Sequence, residues 1–182
     1  NGADKRRFVE TCWRALDDLA RLPVATVAAM EGYALGGGLE LALACDLRFA
    51  DPDVILGFPE MVLGSVASFG AVQRLPAMVG TGRARDLLFR GHRIGASEAE
   101  RIGLVSQVTE PGMVMKEAMT LAKEMSARPR EAIRYLKHAL SGGDSRGAAE
   151  LHGLISDLCH SEPDYQARIS GFTQSGPASG GE

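Results

Sequence analysis

The chain has 182 residues, of which 45% are hydrophobic and 24% charged, so a single domain can bury a substantial core. Its net charge of −3 excludes nucleic-acid binding through a general basic surface. The three cysteines are widely spaced and lack a Cys/His ligand pattern, which predicts reduced thiols and no metal site. No apolar stretch is long enough to span a membrane and no signal peptide is visible, so we expect a cytoplasmic protein without a membrane partner.

The N-terminal quarter of the chain is predicted to form a helix, a strand, a turn and a second helix. The helical spacing of apolar residues predicts an amphipathic helix over 5–21, and the β-branched run 22–30 predicts a strand buried on both faces. Three consecutive glycines occupy 36–38, and residues 39–44 are strong helix formers without Gly or Pro. We therefore expect the glycines to lie at a strand-to-helix turn.

The rest of the chain alternates between short strands and helices. The predicted strands are 47–50, 54–58 and 105–108. The predicted helices are 68–79, 82–90, 97–102, 113–128, 129–140 and 146–160. This alternation predicts an α/β fold, and the last residues, 174–182, are rich in Gly, Ser and Pro and are expected to form a flexible tail.

Two acidic residues accompany the glycine turn. Glu40 follows the glycines at the start of the predicted helix, and Glu60 follows Pro59 twenty residues later. Helix N-termini favour negative charge, whether a phosphate or an enolate oxygen, and carboxyl groups can transfer protons. The glycines could instead serve only close packing, Glu40 could be a dipole-stabilised helix acid and Glu60 an ordinary loop acid. An oxyanion site flanked by two carboxylates is one interpretation of the arrangement.

These residues form part of a longer set of motifs that resembles the enoyl-CoA hydratase/isomerase family, the crotonase superfamily. The matching segments, in family order, are Pro23 to Ala29, Gly32 to Ala42, Cys45-Asp46, Pro59-Glu60, Leu63-Gly64, Gln73 to Pro76, Gly91 to Ile94, Glu98-Ala99 and Gly103 to Val105. The resemblance implies a crotonase-like spiral of ββα units over 1–110, whose N-terminal strands we expect to be missing. It also implies a C-terminal helical region over 111–173 that packs subunits into a homotrimer or hexamer.

The resemblance also assigns roles to individual residues. The N–H of Gly37 and a second N–H, for which Ala3 in Asn1-Gly2-Ala3-Asp4 is the candidate, hold the thioester carbonyl of an acyl-CoA and stabilise its enolate. Glu40 and Glu60 match two hydratase glutamates that flank a water, and because isomerases usually keep only the second, both acids together favour hydration. Coenzyme A enters as part of the substrate, and no separate cofactor or metal is expected. Further substrate-binding candidates are Gly2, Asp4, Gly36, Gly38, Ser68 and Phe69.

The segment after Glu60 departs from the family pattern. Ala67, Ser68 and Ala71 stand where many hydratases have a proline and two glycines, and Phe69 adds apolar bulk. Ser68 occupies the position of a glycine that helps place the catalytic water, so its side chain could displace that water or bind a different substrate. The sequence therefore leaves open double-bond isomerisation, another acyl-CoA enolate reaction such as decarboxylation, or a catalytically silent binding module. The two intact glutamates argue against the silent module.

Overall fold

A computed structural model describes residues 2–140 without a break, followed by residues 153, 155–157, 160, 161, 165, 167, 169 and 170. Most of the predicted helix 146–160 and the whole predicted tail 174–182 lie outside these described residues. The chain divides into two compact units, the first ending at Arg128 and the second beginning at Pro129. Helix α6, Arg130–Leu140, belongs to the second unit and matches the helix predicted over 129–140.

The first unit opens with the predicted order of elements and adds one strand. Helix α1 spans Gly2–Ala20, three residues earlier than predicted, and none of its residues is buried. Strand β1 spans Val27–Met30, only the second half of the predicted strand. Strand β2, Tyr33–Leu35, lies where the sequence predicted only the approach to a turn, and helix α2, Gly37–Ala44, follows it. The predicted strand-to-helix turn at the glycines is therefore confirmed.

Within the part of the chain that the structure describes, six strands form two small sheets of three strands each. In the first sheet β3, Leu47–Ala50, lies between β1 and β6, Gln107–Val108, and is parallel to both. In the second sheet β4, Ile55–Gly57, pairs in parallel with β2 and antiparallel with β5, Arg93–Gly95. Parallel neighbours need a crossover connection, and α2 lies within two of the three crossovers described here, from β1 to β3 and from β2 to β4. The predicted α/β architecture is confirmed.

Helices and a short 3₁₀ segment surround these sheets. The elements are a 3₁₀ helix over Pro59–Leu63, α3 over Ala71–Arg90, α4 over Ala96–Arg101 and α5 over Val114–Ser126. Helix α3 has non-helical dihedral angles at Gly80, which is where the sequence separates two predicted helices. Its first residue is 71 rather than the predicted 68, and the residues before it form a loop that contacts α2. Fully buried leucines from α2, β4 and α3 form the centre of the core: Leu39, Leu43, Leu56 and Leu75.

A buried arginine fixes the C-terminal end of α2. Arg48 of β3 donates hydrogen bonds to the backbone carbonyls of Cys45 and Leu104, both at 2.8 Å, and to that of Ala42 at 3.3 Å. Burial lowers the pKa of Arg48 from its usual value, but a guanidinium stays charged in proteins. A cation at a helix C-terminus is stabilised by the helix dipole. Helix α2 is therefore held in place at the end opposite the glycines.

Candidate active site at the glycine turn

Gly36 makes the sharp turn between β2 and α2. Its φ of 52° and ψ of −124° lie where L side chains are disfavoured, and a Cβ atom there would lie 2.5 Å from Glu60 Oε1. Its N–H donates to the carbonyl of Gly57 at 2.9 Å, which ties the ends of the parallel strands β2 and β4 together. Glycine is therefore required at position 36 for two reasons, backbone conformation and the approach of the Glu60 carboxylate.

The other two glycines form the first turn of α2. The first N–H groups of a helix have no acceptor within the helix, and the helix dipole makes this end favourable for negative charge. A Cβ atom on Gly38 would meet no heavy atom within 4 Å, whereas one on Gly37 would lie 3.1 Å from Phe69 Cε2. One side of this turn is thus open, and the aromatic ring of Phe69 covers the other.

Glu40 lies in the first turn of α2, and its side chain is only 1% exposed. Its Oε1 accepts the backbone N–H of Phe69 at 2.7 Å and that of Ala71 at 3.0 Å. Burial raises the pKa of Glu40, the two N–H donors lower it, and the negative charge of Glu60 raises it further, with a net upward shift. The backbone therefore holds the carboxyl group, and burial keeps it protonated to a higher pH than a solvent-exposed glutamate.

Glu60 lies in the first turn of the 3₁₀ helix, directly after strand β4 and buried Phe58. Its Oε1 points toward Gly36, and its Oε2 is buried without a hydrogen-bond partner among the described residues. Buried polar atoms normally have such a partner, so an orphaned carboxylate oxygen is an acceptor suited to a bound molecule. Glu60 Oε1 approaches Gly36, whose carbonyl accepts the backbone N–H of Glu40, so the two acidic residues lie at the same turn.

The loop before α3 connects the glycine turn to α1. Phe69 gives its N–H to Glu40, accepts a hydrogen bond from Arg74 Nη1 at its carbonyl at 3.1 Å, and lays its ring against Gly37. The same ring packs edge to face on Phe8 of α1, with ring centroids 5.8 Å apart. Arg74 Nη2 also lies 3.6 Å from Asp17 Oδ1 of α1. The sequence did not predict the contributions of Phe8, Asp17 and Arg74. Among the three, only Arg74 lies in a family motif, and that motif gave no sign of its contacts.

The predicted site residues fall into two groups in the structure. Gly36, Gly37, Glu40, Glu60 and Phe69 come together through the contacts described above. The predicted N-terminal candidates Gly2, Ala3 and Asp4 lie instead in the exposed first turn of α1, because the helix begins earlier than the sequence predicted. Ser68 is half-buried beside Phe69 in the loop. The role of Ala3 as the second N–H donor stays a prediction.

The described residues contain no cluster of three or more His, Cys, Asp or Glu side chains that could hold a metal ion. Within the same part of the chain, no helix combines the length and the apolar character that crossing a membrane requires.

Comparisons with known proteins cover most of the chain. The family model described as enoyl-CoA hydratase/isomerase matches residues 1–167. A short-chain-enoyl-CoA hydratase of Clostridioides difficile is 40% identical over 149 residues, 80% of this chain and 96% of that protein. The human mitochondrial enoyl-CoA hydratase domain-containing protein 2 is 40% identical over 160 residues, 85% of this chain and 54% of that protein. The chain spans about half the length of several curated relatives that it matches.

Solved structures are also similar in fold. A crystal structure of an enoyl-CoA hydratase from Bacillus anthracis superimposes with a TM-score of 0.90 at 31% identity, over 96% of this chain and 69% of that one. A crystal structure of a protein from Streptomyces coelicolor A3(2) gives the same TM-score at 33% identity, over 97% of this chain and 66% of that one. The arrangement of sheets and helices described above is therefore shared with these structures.

Proposed function

The chain belongs to the enoyl-CoA hydratase/isomerase family and has the crotonase fold, and from this membership we propose that it is a hydro-lyase that adds water to a 2-enoyl-CoA thioester. One observation supports this proposal above the others. Glu60 Oε1 approaches Gly36, and Glu40, in the first turn of the helix that follows Gly36, is held by the loop whose Phe69 ring covers Gly37. The proposed hydration uses two carboxyl groups, one to take a proton from water and one to give a proton to carbon.

The backbone at the glycine turn is suited to bind the thioester carbonyl. The N–H of Gly37, at the positive end of the α2 dipole, would donate to the carbonyl oxygen, and the N–H of Ala3 is the proposed second donor. These donors stabilise the oxygen more as it becomes an enolate, by about 3 kcal/mol for each well-placed donor. Coenzyme A is held as part of the substrate, and no resident cofactor is proposed.

The two carboxyl groups differ in surroundings, as the reaction requires. Glu40 is buried, with one oxygen held by two N–H groups and a raised pKa, whereas Glu60 has one buried oxygen without a described partner. As the water oxygen bonds to Cβ, one carboxylate takes a water proton, and the other carboxyl group gives its proton to Cα. Each turnover thus exchanges the protonation states of the two acids. Proton exchange with solvent then restores the original states.

The proposal is tested by giving the intact protein a four-carbon 2-enoyl-CoA and following the loss of the conjugated-enoyl absorbance. We expect turnover by the wild type and a loss of at least about 100-fold in both Glu40→Gln and Glu60→Gln, since each substitution removes a proton-transfer group. Exposed Glu124 of α5 provides the matched control, because Glu124→Gln changes the same chemical group away from the turn. Turnover that survives both site substitutions would exclude this mechanism.

Isomerisation of an enoyl-CoA is a second candidate, favoured by the loop. The ring of Phe69 lies against Gly37, and half-buried Ser68 precedes it at the position where the family resemblance has a glycine that helps place the catalytic water. A 3-enoyl-CoA converted to its 2-enoyl isomer, with sensitivity to Glu60→Gln but not to Glu40→Gln, would establish this reaction. Tight acyl-CoA binding without turnover of either substrate would indicate another enolate reaction, such as decarboxylation, or a silent binding module.

The family resemblance also leads us to propose that the chain assembles as a homotrimer or hexamer through its C-terminal helical region. Helix α6 fits this role because it is strongly amphipathic. Its exposed Leu136 and Leu140 are four residues apart and therefore lie on one face of the helix. Light scattering of the intact protein tests the assembly, and a monomer at micromolar concentration would contradict it.

A further inference from the structure

Phe69 is fixed at the active site by contacts on three sides. Its N–H donates to Glu40 Oε1, its carbonyl accepts a hydrogen bond from Arg74, and its ring packs on Phe8 at an interplanar angle of 76°. Two ring carbons, Cε2 and Cδ2, lie 3.1 and 3.3 Å from the position that a Cβ atom of Gly37 would occupy. The backbone of the loop and the neighbouring ring thus hold the aromatic group directly over the glycine.

This position lies beside the path of an acyl chain. If the N–H of Gly37 binds the thioester carbonyl, Cα and Cβ of the acyl group must lie between Gly37 and the carboxyl groups of Glu40 and Glu60. Phe69 contacts both Gly37 and Glu40, so its ring borders this space. Phe8, whose ring is 62% exposed, lies behind Phe69 and opposes displacement of the ring toward α1. A chain that continues beyond Cβ then meets an aromatic wall.

We propose that Phe69, supported by Phe8, restricts the substrate to acyl-CoA thioesters with short acyl chains. The inference rests on the proposed function in one respect, the binding of the thioester carbonyl at Gly37. Phe69 acts here as a specificity-determining residue rather than a catalytic one: its ring sets the volume available to the acyl group, and its backbone N–H supports Glu40. Phe69→Ala replaces the benzyl group by a methyl group, keeps that N–H and opens space for several methylene groups.

Binding of saturated acyl-CoAs tests the proposal independently of hydration, because these thioesters cannot take up water. Calorimetry would give dissociation constants for the four-carbon and eight-carbon thioesters with wild type, Phe69→Ala and Phe8→Ala. We expect the wild type to bind the eight-carbon thioester no more tightly than the four-carbon one. Each methylene that becomes buried raises affinity about fourfold, so Phe69→Ala should shift the ratio of the two constants by about tenfold or more toward the longer chain. Phe8→Ala should shift it in the same direction by less.

Phe89 of α3 provides the matched control, since its ring is 67% exposed and Phe89→Ala should leave the ratio unchanged. The proposal is overturned if Phe69→Ala changes the ratio by less than twofold. It is also overturned if the affinity of the wild type already rises about fourfold for each methylene between the four-carbon and eight-carbon thioesters. If Phe69→Ala does not fold, Phe69→Leu and Phe8→Ala carry the same test.

The two proposals fail in different ways. A shifted binding ratio in a protein that hydrates no 2-enoyl-CoA would support the role of Phe69 and reject hydration. Hydration of four-carbon and eight-carbon substrates with equal kcat/KM in wild type and Phe69→Ala would support hydration and reject the role of Phe69. The absence of any acyl-CoA binding would reject both.

Discussion

The two sides of the candidate active site are held by different kinds of interaction. On one side, Gly36 and Glu40 are buried, and α2 is fixed by backbone hydrogen bonds and by Arg48. On the other side, α1 has no buried residue, packs Phe8 on Phe69 of the loop, and carries Asp17, which makes a long ion pair with Arg74 of α3. Buried, hydrogen-bonded groups keep a reacting geometry, whereas half-exposed contacts can be adjusted at little cost. We therefore expect chemistry to depend on the first side and substrate selection on the second.

The strongest test of the buried side is Gly36→Ala. The new Cβ atom would clash with the Glu60 carboxylate, and the backbone would be forced to hold a positive φ, so we expect a loss of about 1–3 kcal/mol in the free energy of unfolding. Activity should fall at least about 100-fold, because a displacement of a reacting group by an ångström has an effect of this size. Urea denaturation and the hydration assay measure the two effects.

Gly38→Ala is the matched substitution for this stability measurement. Its Cβ would meet nothing within 4 Å and its backbone is helical, so stability should stay the same or rise by up to about 1 kcal/mol. Equal unfolding free energies for Gly36→Ala and Gly38→Ala would show that the turn at position 36 is not under the described constraint.

The contacts of Glu40 predict a smaller effect on stability that depends on the replacement. Glu40→Ala leaves the N–H groups of Phe69 and Ala71 without their acceptor and should cost about 1–3 kcal/mol. Glu40→Gln retains an acceptor oxygen and should cost less than half as much, although both variants lose activity. Chemical denaturation at neutral pH compares them, and equal costs would contradict the described role of the carboxyl oxygen.

The raised pKa of Glu40 predicts how stability changes with pH. The folded-state pKa of Glu40 lies above the unfolded value near 4.5, so protonated Glu40 stabilises the fold fully below that pH. This contribution to the free energy of unfolding is lost as pH rises through the folded pKa. Glu40→Gln cannot ionise, so the Tm of wild type minus that of the variant should decrease between pH 4 and the raised pKa. Thermal melts over a pH series measure this difference, and a difference that increases with pH would contradict the direction of the shift.

The smallest expected effect concerns the exposed side. Asp17→Asn weakens both the contact with Arg74 and the exposed pair with Arg21, and should cost less than about 1 kcal/mol. Arg21→Gln removes only the exposed pair, so the difference between the two variants isolates the contribution of Arg74. A loss of activity with Asp17→Asn comparable to that with Glu40→Gln would show that α1 takes part in the chemistry and would remove the distinction between the two sides.

Much of the fold could be predicted from local sequence. The span 47–50 forms β3 as predicted, and the break at Gly80 and helices α4 to α6 follow from residues that favour or interrupt helices. Strand β2 was missed because three residues next to a glycine cluster show no alternation, and they become a strand only through pairing with β4. Strand β5, also three residues long, depends in the same way on its partner.

The sequence predicted which acids and glycines form the site, but not what holds them. The resemblance to the family indicated Gly37, Glu40 and Glu60, because motifs record the positions of groups along the chain. The hydrogen bonds from the loop to Glu40 and the packing of Phe8 on Phe69 join residues distant in sequence, whose types are unremarkable on their own. Such contacts arise from tertiary packing, which no local pattern encodes.

The pairing of β2 with β4 has a consequence for how this site can vary. Leu35 and Gly57 are register partners in parallel strands, so the chain leaves both strands at the same sheet edge, toward Glu40 and Glu60. The separation of the two acids in space is thus determined by one hydrogen-bonded register and by the few residues after each strand. The length of the crossover beyond α2 does not enter. Residues could be inserted between β3 and β4 without moving either acid, whereas a single insertion after Leu35 or after Gly57 would separate them.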